Sequence, residues 1–217
     1  MENNDEHNIN HEYITRYIRR TIKNNDGLLG EIERFAKENE VPIAQPETMR
    51  FIEVLLKSIN AKNVLEIGSA IGYSAITMAN CGANITTIER DENMLVHLIP
   101  NIERAGHSDK ITVHKGDALE ILPTLKGEYD FIFVDAAKGQ YLEFFPDCMR
   151  MLKTGGILFS DNVLYKGMVA TDELAIRRKV TIIRRLRKYL DEICSCDRLD
   201  TALVPIGDGA AISYKKL

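Results

Sequence analysis

The 217-residue sequence has no tryptophan, only six prolines and only four cysteines. Few prolines, with 45% hydrophobic and 28% charged residues, exclude a collagen-like or disordered composition. The cysteines, Cys81, Cys148, Cys194 and Cys196, are scattered. The one close pair is separated by a single residue, so the chain shows neither a disulfide framework nor a CxxC zinc or redox motif. No apolar run approaches the ~20 residues of a membrane helix, and the opening MENNDEHNINHEY is too polar for a signal peptide. A cytoplasmic protein with no membrane partner is expected. The formal charge of -4 excludes a chain coated in positive charge but leaves room for a local basic patch. This length supports one large core rather than two, so residues 1–217 are expected to form a single domain.

Two kinds of periodicity divide the chain. Between Tyr13 and Asn39, apolar residues recur at three and four (Ile14, Tyr17, Ile18, Ile22; Leu28, Leu29, Ile32, Phe35), which predicts two short amphipathic helices. Pro42 and Pro46 interrupt them, and a third helix is predicted over 48–59 with Phe51, Ile52, Leu55 and Leu56 inward. These helices, residues 1–60, are expected to act as a lid over cofactor and substrate or as a dimer contact. From residue 61 onward, short β-branched or apolar runs alternate with helical stretches: NVLEIG, ITTIER, ITVHKGD, YDFIFVDAA and GGILFSDN, with helices around 141–152 and 172–193. Runs such as FIFVD and GILFSD are apolar almost throughout, as strands covered on both faces must be. The prediction is a doubly wound, mainly parallel α/β sheet, closed by an antiparallel hairpin around Gly207-Asp208-Gly209.

In such folds ligands bind beyond the carboxyl ends of the strands. After the first run stand Glu66, Gly68, Gly72 and Ser74 in EIGSAIGYS; the glycines allow a tight turn, but their spacing is not the G-x-G-x-x-G dinucleotide fingerprint. Glu89 ends the second run and is suited to accepting hydrogen bonds from both ribose hydroxyls. Asp117 ends the third and is suited to an adenine amino group, with the small Ala118 leaving room for the ring. Each acid alone reads equally well as a helix cap or turn former. Two further strand ends carry Asp135 and Asp161-Asn162, hard oxygen donors that suit Mg²⁺, Mn²⁺ or Ca²⁺ rather than zinc.

In the order of these motifs the chain resembles the class I S-adenosylmethionine-dependent methyltransferases over residues 40 to 217. That likeness implies a Rossmann-like seven-stranded sheet. It places Glu66 and Gly68 at the methionine end of the cofactor, Ser74 at its carboxylate, Glu89 at the ribose, and Asp117 with Ala118 at the adenine, with Ala44 and Asp135 also in contact. DAAK at 135–138 and Asp161-Asn162 narrow the resemblance to the cation-dependent O-methyltransferases, which include catechol and caffeoyl-CoA enzymes. It implies that Asp135, Asp161 and Asn162 bind the metal, that Lys138 is the catalytic base, and that the protein is a homodimer. The sequence departs from the small-molecule branches: it has no tryptophan to wall a catechol ring, and Ala137 replaces an acid of the plant caffeoyl-CoA branch.

The set VPIAQPE, EIGSAIGYSAI, VDAAKGQY, SDNVLYKG and PIGDGAAIS is most similar to the bacterial tRNA 5-hydroxyuridine methyltransferases, which act at the anticodon wobble position. The O4 carbonyl and 5-hydroxyl of that base are vicinal oxygens and suit chelation as a catechol does. A run of basic residues, Arg177, Arg178, Lys179, Arg184, Arg185, Arg187 and Lys188, is interleaved with Ile182, Ile183, Leu186, Leu190 and Ile193. It reads either as a tRNA phosphate surface or as an ordinary solvated helix face. Three functions follow: a tRNA-modifying enzyme, a small-molecule catechol-type methyltransferase with a vicinal-dioxygen substrate, or a cofactor-binding partner without catalysis. His7 and His11, four apart in a polar tail, are assigned no role.

Overall fold

A computed structural model describes residues 9–217, so His7 lies outside the described residues while His11 immediately precedes the first helix. Three helices come first: α1 (Glu12–Thr21), α2 (Gly27–Glu38) and α3 (Pro46–Ser58). Pro46 does not merely break the chain. It occupies the first turn of α3, where its missing N–H costs no hydrogen bond. The core then alternates β1 (Asn63–Ile67), α4 (Tyr73–Asn80), β2 (Asn84–Glu89), α5 (Glu92–Arg104), β3 (Ile111–Lys115), α6 (Ala118–Ile121), β4 (Tyr129–Val134), α7 (Tyr141–Met151), β5 (Leu152–Ser160), α8 (Val180–Ser195), β6 (Leu199–Val204) and β7 (Ala210–Lys215).

The strands form one seven-stranded sheet of order β3-β2-β1-β4-β5-β7-β6. The first five run parallel, and β7 inserts antiparallel between β5 and β6. The expected C-terminal hairpin is therefore present, with Val204 opposite Ala210 and the Gly207-Asp208-Gly209 turn between them.

Alternation along the strands explains the layers. Val64, Phe131, Phe133, Ile157 and Phe159 face one side and pack with Ile52, Leu56, Ile76 and Leu98 from α3, α4 and α5. Leu65, Ile67, Ile132, Val134 and Leu158 face the other and pack with Tyr141, Phe144, Leu186, Tyr189 and Ile193 from α7 and α8. Helix α1 has no buried residue. It is fastened by Arg19, whose guanidinium donates to the buried Glu47 at 2.8 and 2.9 Å and to Gln45 Oε1 at 2.6 Å.

The helix predicted over 172–193 is shorter at its start. Residues Arg177–Lys179 form a single 3₁₀ turn and α8 begins at Val180. Asp172 folds back to pair with Arg187 at 2.7 Å. In one straight helix fifteen residues would separate them by about 22 Å, so that ion pair and an uninterrupted helix exclude each other.

Candidate active site

The carboxyl ends of β1, β2, β3, β4 and β5 open into one cleft of about 1260 Å³. Ala44, Gly68, Ser74, Glu89, Asp117, Ala118, Asp135, Lys138 and Asn162 all line it. Glu66 and Asp161 are not among the residues that line it and are buried, 0% and 1% exposed. The N-terminal segment reaches the same cleft through Asn10, Thr15 and Arg19, which puts α1 at its rim.

At one end the chain leaving β1 turns through Gly68, with φ +92. A Cβ there would stand 2.5 Å from the Asp135 carbonyl oxygen and 3.1 Å from Ala136 Cα, so the close approach of the β1 and β4 loops requires glycine. Glu89 ties this turn to its own strand end. One carboxylate oxygen accepts from Ser69 N at 3.2 Å and Ala70 N at 2.8 Å, the other from Arg90 N at 2.8 Å and Asp91 N at 2.9 Å. All four of its acceptor sites are thus used by backbone, and a ribose would have to displace some of them. Asp117 caps α6 by accepting from Leu119 N at 2.9 Å and meets Arg90 at 3.3 Å, so capping and cleft lining coexist in one residue.

At the other end, Asp135 and Asp161 follow strand partners Val134 and Ser160, which places them side by side on adjacent strands. Asp161 Oδ1 accepts from Asn162 N at 2.7 Å, whereas its buried Oδ2 has no hydrogen-bond partner among the described residues. Burial, and then the neighbouring Asp135, push the Asp161 carboxyl up to about 8. Burial also raises Asp135, with Lys138 acting in the opposite direction. Two crowded carboxyls and an orphaned buried oxygen are what a divalent cation would relieve, so the donor set fits such an ion. Among the described residues no three His, Cys, Asp or Glu side chains group to hold a metal. The third donor on offer is the Asn162 amide.

Tyr141 is buried beside Asp161, its hydroxyl donating to Asp161 O at 3.0 Å. Sequence patterning assigns Tyr141 only to a helix, because a buried hydroxyl has no signature along the chain. Asp208, from the β6–β7 turn, also lines the cleft. Along the chain only its place in the PIGDG motif marks it. Arg185 Nη1 on α8 donates to Gly139 O at 3.0 Å, which brings the basic helix against the turn that carries Lys138.

A seven-stranded sheet of this order, opening at its carboxyl edge into a single cleft with acids at successive strand ends, defines a class I methyltransferase. The family model described as O-methyltransferase matches residues 20–216. The caffeoyl-CoA O-methyltransferase 1 of Eucalyptus globulus is 36% identical over 174 residues, 75% of this chain and 70% of that protein. A Staphylococcus aureus structure provisionally described as a caffeoyl-CoA O-methyltransferase is 33% identical, with a TM-score of 0.84 over 94% of this chain and 98% of its own. The O-methyltransferase from Bacillus cereus, solved in complex with SAH, is 25% identical with a TM-score of 0.83, covering 94% and 97%. The chain belongs to this O-methyltransferase family, the cation-dependent group that its motifs resemble.

Proposed function

We propose that the chain transfers the methyl group of S-adenosylmethionine to a hydroxyl that has a second oxygen beside it, with the help of a divalent cation, Mg²⁺ being the expected one. The observation that carries this is the meeting of Asp135, Asn162 and Lys138 at one end of the cleft whose other end holds Glu89, Asp117 and Ala118. Gly68 and Ser74 would take the methionine part, with Glu66 supporting the turn from below. Glu89 would take the ribose, Asp117 and Ala118 the adenine, and Ala44 and Asp135 would complete the wall.

When bound, the cofactor supplies a methyl carbon on a sulfonium, and the cation, held by Asp135, Asp161 and Asn162, supplies charge that favours ionisation of a chelated hydroxyl. Lys138 Nζ would take the hydroxyl proton. The cofactor would supply the methyl carbon to the ionised oxygen and keep the electron pair of the C–S bond on sulfur. A cleft that held both reactants would replace an encounter with an intramolecular reaction.

For the substrate we infer 5-hydroxyuridine at the tRNA wobble position, converted to 5-methoxyuridine. What supports an RNA is the basic helix: Arg177, Arg178, Arg184, Arg185 and Lys188 are exposed, and Arg185 touches the residue after Lys138. A second reading, a small catechol or caffeoyl-CoA-like substrate, is supported by the activities named for the relatives. None of the relatives described above is named for an RNA, and the comparisons back this second reading better than the first. The exposed Tyr13, Ile14, Tyr17 and Ile18 of α1 are the surface we expect a homodimer to cover. The deciding experiment is methyl transfer from labelled S-adenosylmethionine to 5-hydroxyuridine-containing tRNA and to catechol, each with Mg²⁺ or EDTA. Metal-dependent 5-methoxyuridine supports the tRNA reading; methylation of catechol alone replaces it with the small-molecule one.

A further inference from the structure

After Asp161 the chain enters an unusual turn. Asn162, Tyr165 and Lys166 adopt left-handed backbone, with φ of +55, +46 and +56, and they are three of the six non-glycine residues that do so among the described residues. Side chains of L-residues crowd the following carbonyl in that region, so such a conformation persists only where its surroundings hold it. Here the turn between β6 and β7 holds it. Val163 N donates to Gly209 O at 2.9 Å, Leu164 N donates to Asp208 O at 3.1 Å, and Lys166 N donates to Asp208 Oδ1. The two turns are in close contact: a Cβ on Gly209, itself at φ +82, would stand 2.4 Å from Leu164 Cγ. Asp208 is half-buried and lines the same cleft as Asn162 and Lys138.

We infer that Asp208 is a positioning residue for the cation site: its main-chain and side-chain oxygens pin the Val163–Lys166 turn, and the pinned turn keeps the Asn162 amide facing the cleft beside Asp135. The inference rests on reading Asn162 as a cation ligand. The role requires an acceptor oxygen at Oδ1 rather than a negative charge, because the donor is a backbone N–H. Asparagine can therefore do the work of Asp208, and alanine cannot. Residues that orient metal ligands typically cost 10- to 100-fold in metal affinity when removed.

The test is direct Mn²⁺ binding to the full chain, read from the electron paramagnetic resonance of the free ion. SAH affinity by calorimetry and thermal unfolding in EDTA accompany it. Asp208→Ala is expected to weaken Mn²⁺ roughly tenfold or more, to leave SAH affinity within about twofold, and to be rescued by Asp208→Asn. Wild-type Mn²⁺ affinity in Asp208→Ala, or an Asn variant as impaired as the Ala variant, overturns the inference. So does a loss of SAH and Mn²⁺ affinity in parallel, which marks a merely structural residue. If Asp208→Ala does not fold, Gly209→Ala perturbs the same contact from its other side and is expected to lose Mn²⁺ selectively; unchanged Mn²⁺ binding there overturns the inference equally. A wild-type chain that binds SAH but no Mn²⁺ removes the cation reading itself and the inference with it, an outcome distinct from the others because it appears without any substitution.

Discussion

Glu66 and Thr87 face each other across the parallel strands β1 and β2, and Thr87 Oγ1 donates to Glu66 Oε2 at 2.6 Å inside the sheet. The other carboxylate oxygen, Oε1, is buried without a partner among the described residues. Burial is the largest influence on Glu66 and pushes its carboxyl up to about 7, against an ordinary value of 4.5.

A raised folded-state value means that the native protein holds a proton the unfolded chain releases. That contribution is complete below pH 4.5 and is lost as pH rises through about 7. Without cofactor and in EDTA, Glu66 should therefore cost the fold roughly 3 kcal/mol between pH 5 and pH 8, taking ~1.4 kcal/mol per unit. Urea unfolding across that range measures it. Glu66→Gln should make the slope shallower by that amount and leave the share of Asp161, whose carboxyl is raised to about 8 and titrates with the same sign; an unchanged slope in that variant would show that the Glu66 carboxyl does not titrate as described.

Gly68 is expected to tolerate no side chain. Gly68→Ala forces a methyl to 2.5 Å from Asp135 O at a φ of +92. It should lose about 2 kcal/mol or more of stability and at least about tenfold in SAH affinity, roughly 1.4 kcal/mol. Gly82→Ala is the control, since Gly82 has φ +93 but nothing within 4 Å of a Cβ. It should show only the backbone cost, with SAH affinity retained.

Substitution of Lys138 by methionine roughly keeps the length of the side chain and removes the proposed proton acceptor. Steady-state kinetics should show kcat lower by roughly 10²- to 10⁴-fold, and calorimetry should show SAH affinity nearly unchanged. A variant with wild-type kcat would remove Lys138 as the base.

Cation binding should be visible without turnover. Mg²⁺ should raise the melting temperature of the wild-type chain, by an amount that grows with the logarithm of its concentration once above Kd. Asp135→Ala should abolish the shift. An equal shift in both proteins would place the ion elsewhere.

The basic helix separates the two substrate readings. In Arg178→Glu/Arg184→Glu/Lys188→Glu, tRNA affinity should fall and lose salt dependence, by about 0.7–0.9 in the log–log slope for each lost phosphate contact, while catechol kinetics are unaffected. Binding curves that match wild type at every salt concentration would return α8 to an ordinary solvated face.

What the sequence determined by itself is what neighbouring residues encode. Alternating periodicity specified a doubly wound sheet, and apolar runs such as FIFVD specified strands covered on both faces. Parallel strands share one carboxyl edge, so the places of Glu89, Asp117, Asp135 and Asn162 at successive strand ends were enough to assign them to one cleft. Long-range contacts were decided only by the tertiary structure. The insertion of β7 between β5 and β6, the return of Asp172 onto Arg187 and the pinning of the Lys166 turn by Asp208 each join residues distant in the chain. Their hydrogen bonds and ion pairs depend on the packed sheet to bring the partners together, and no local pattern of side chains records that.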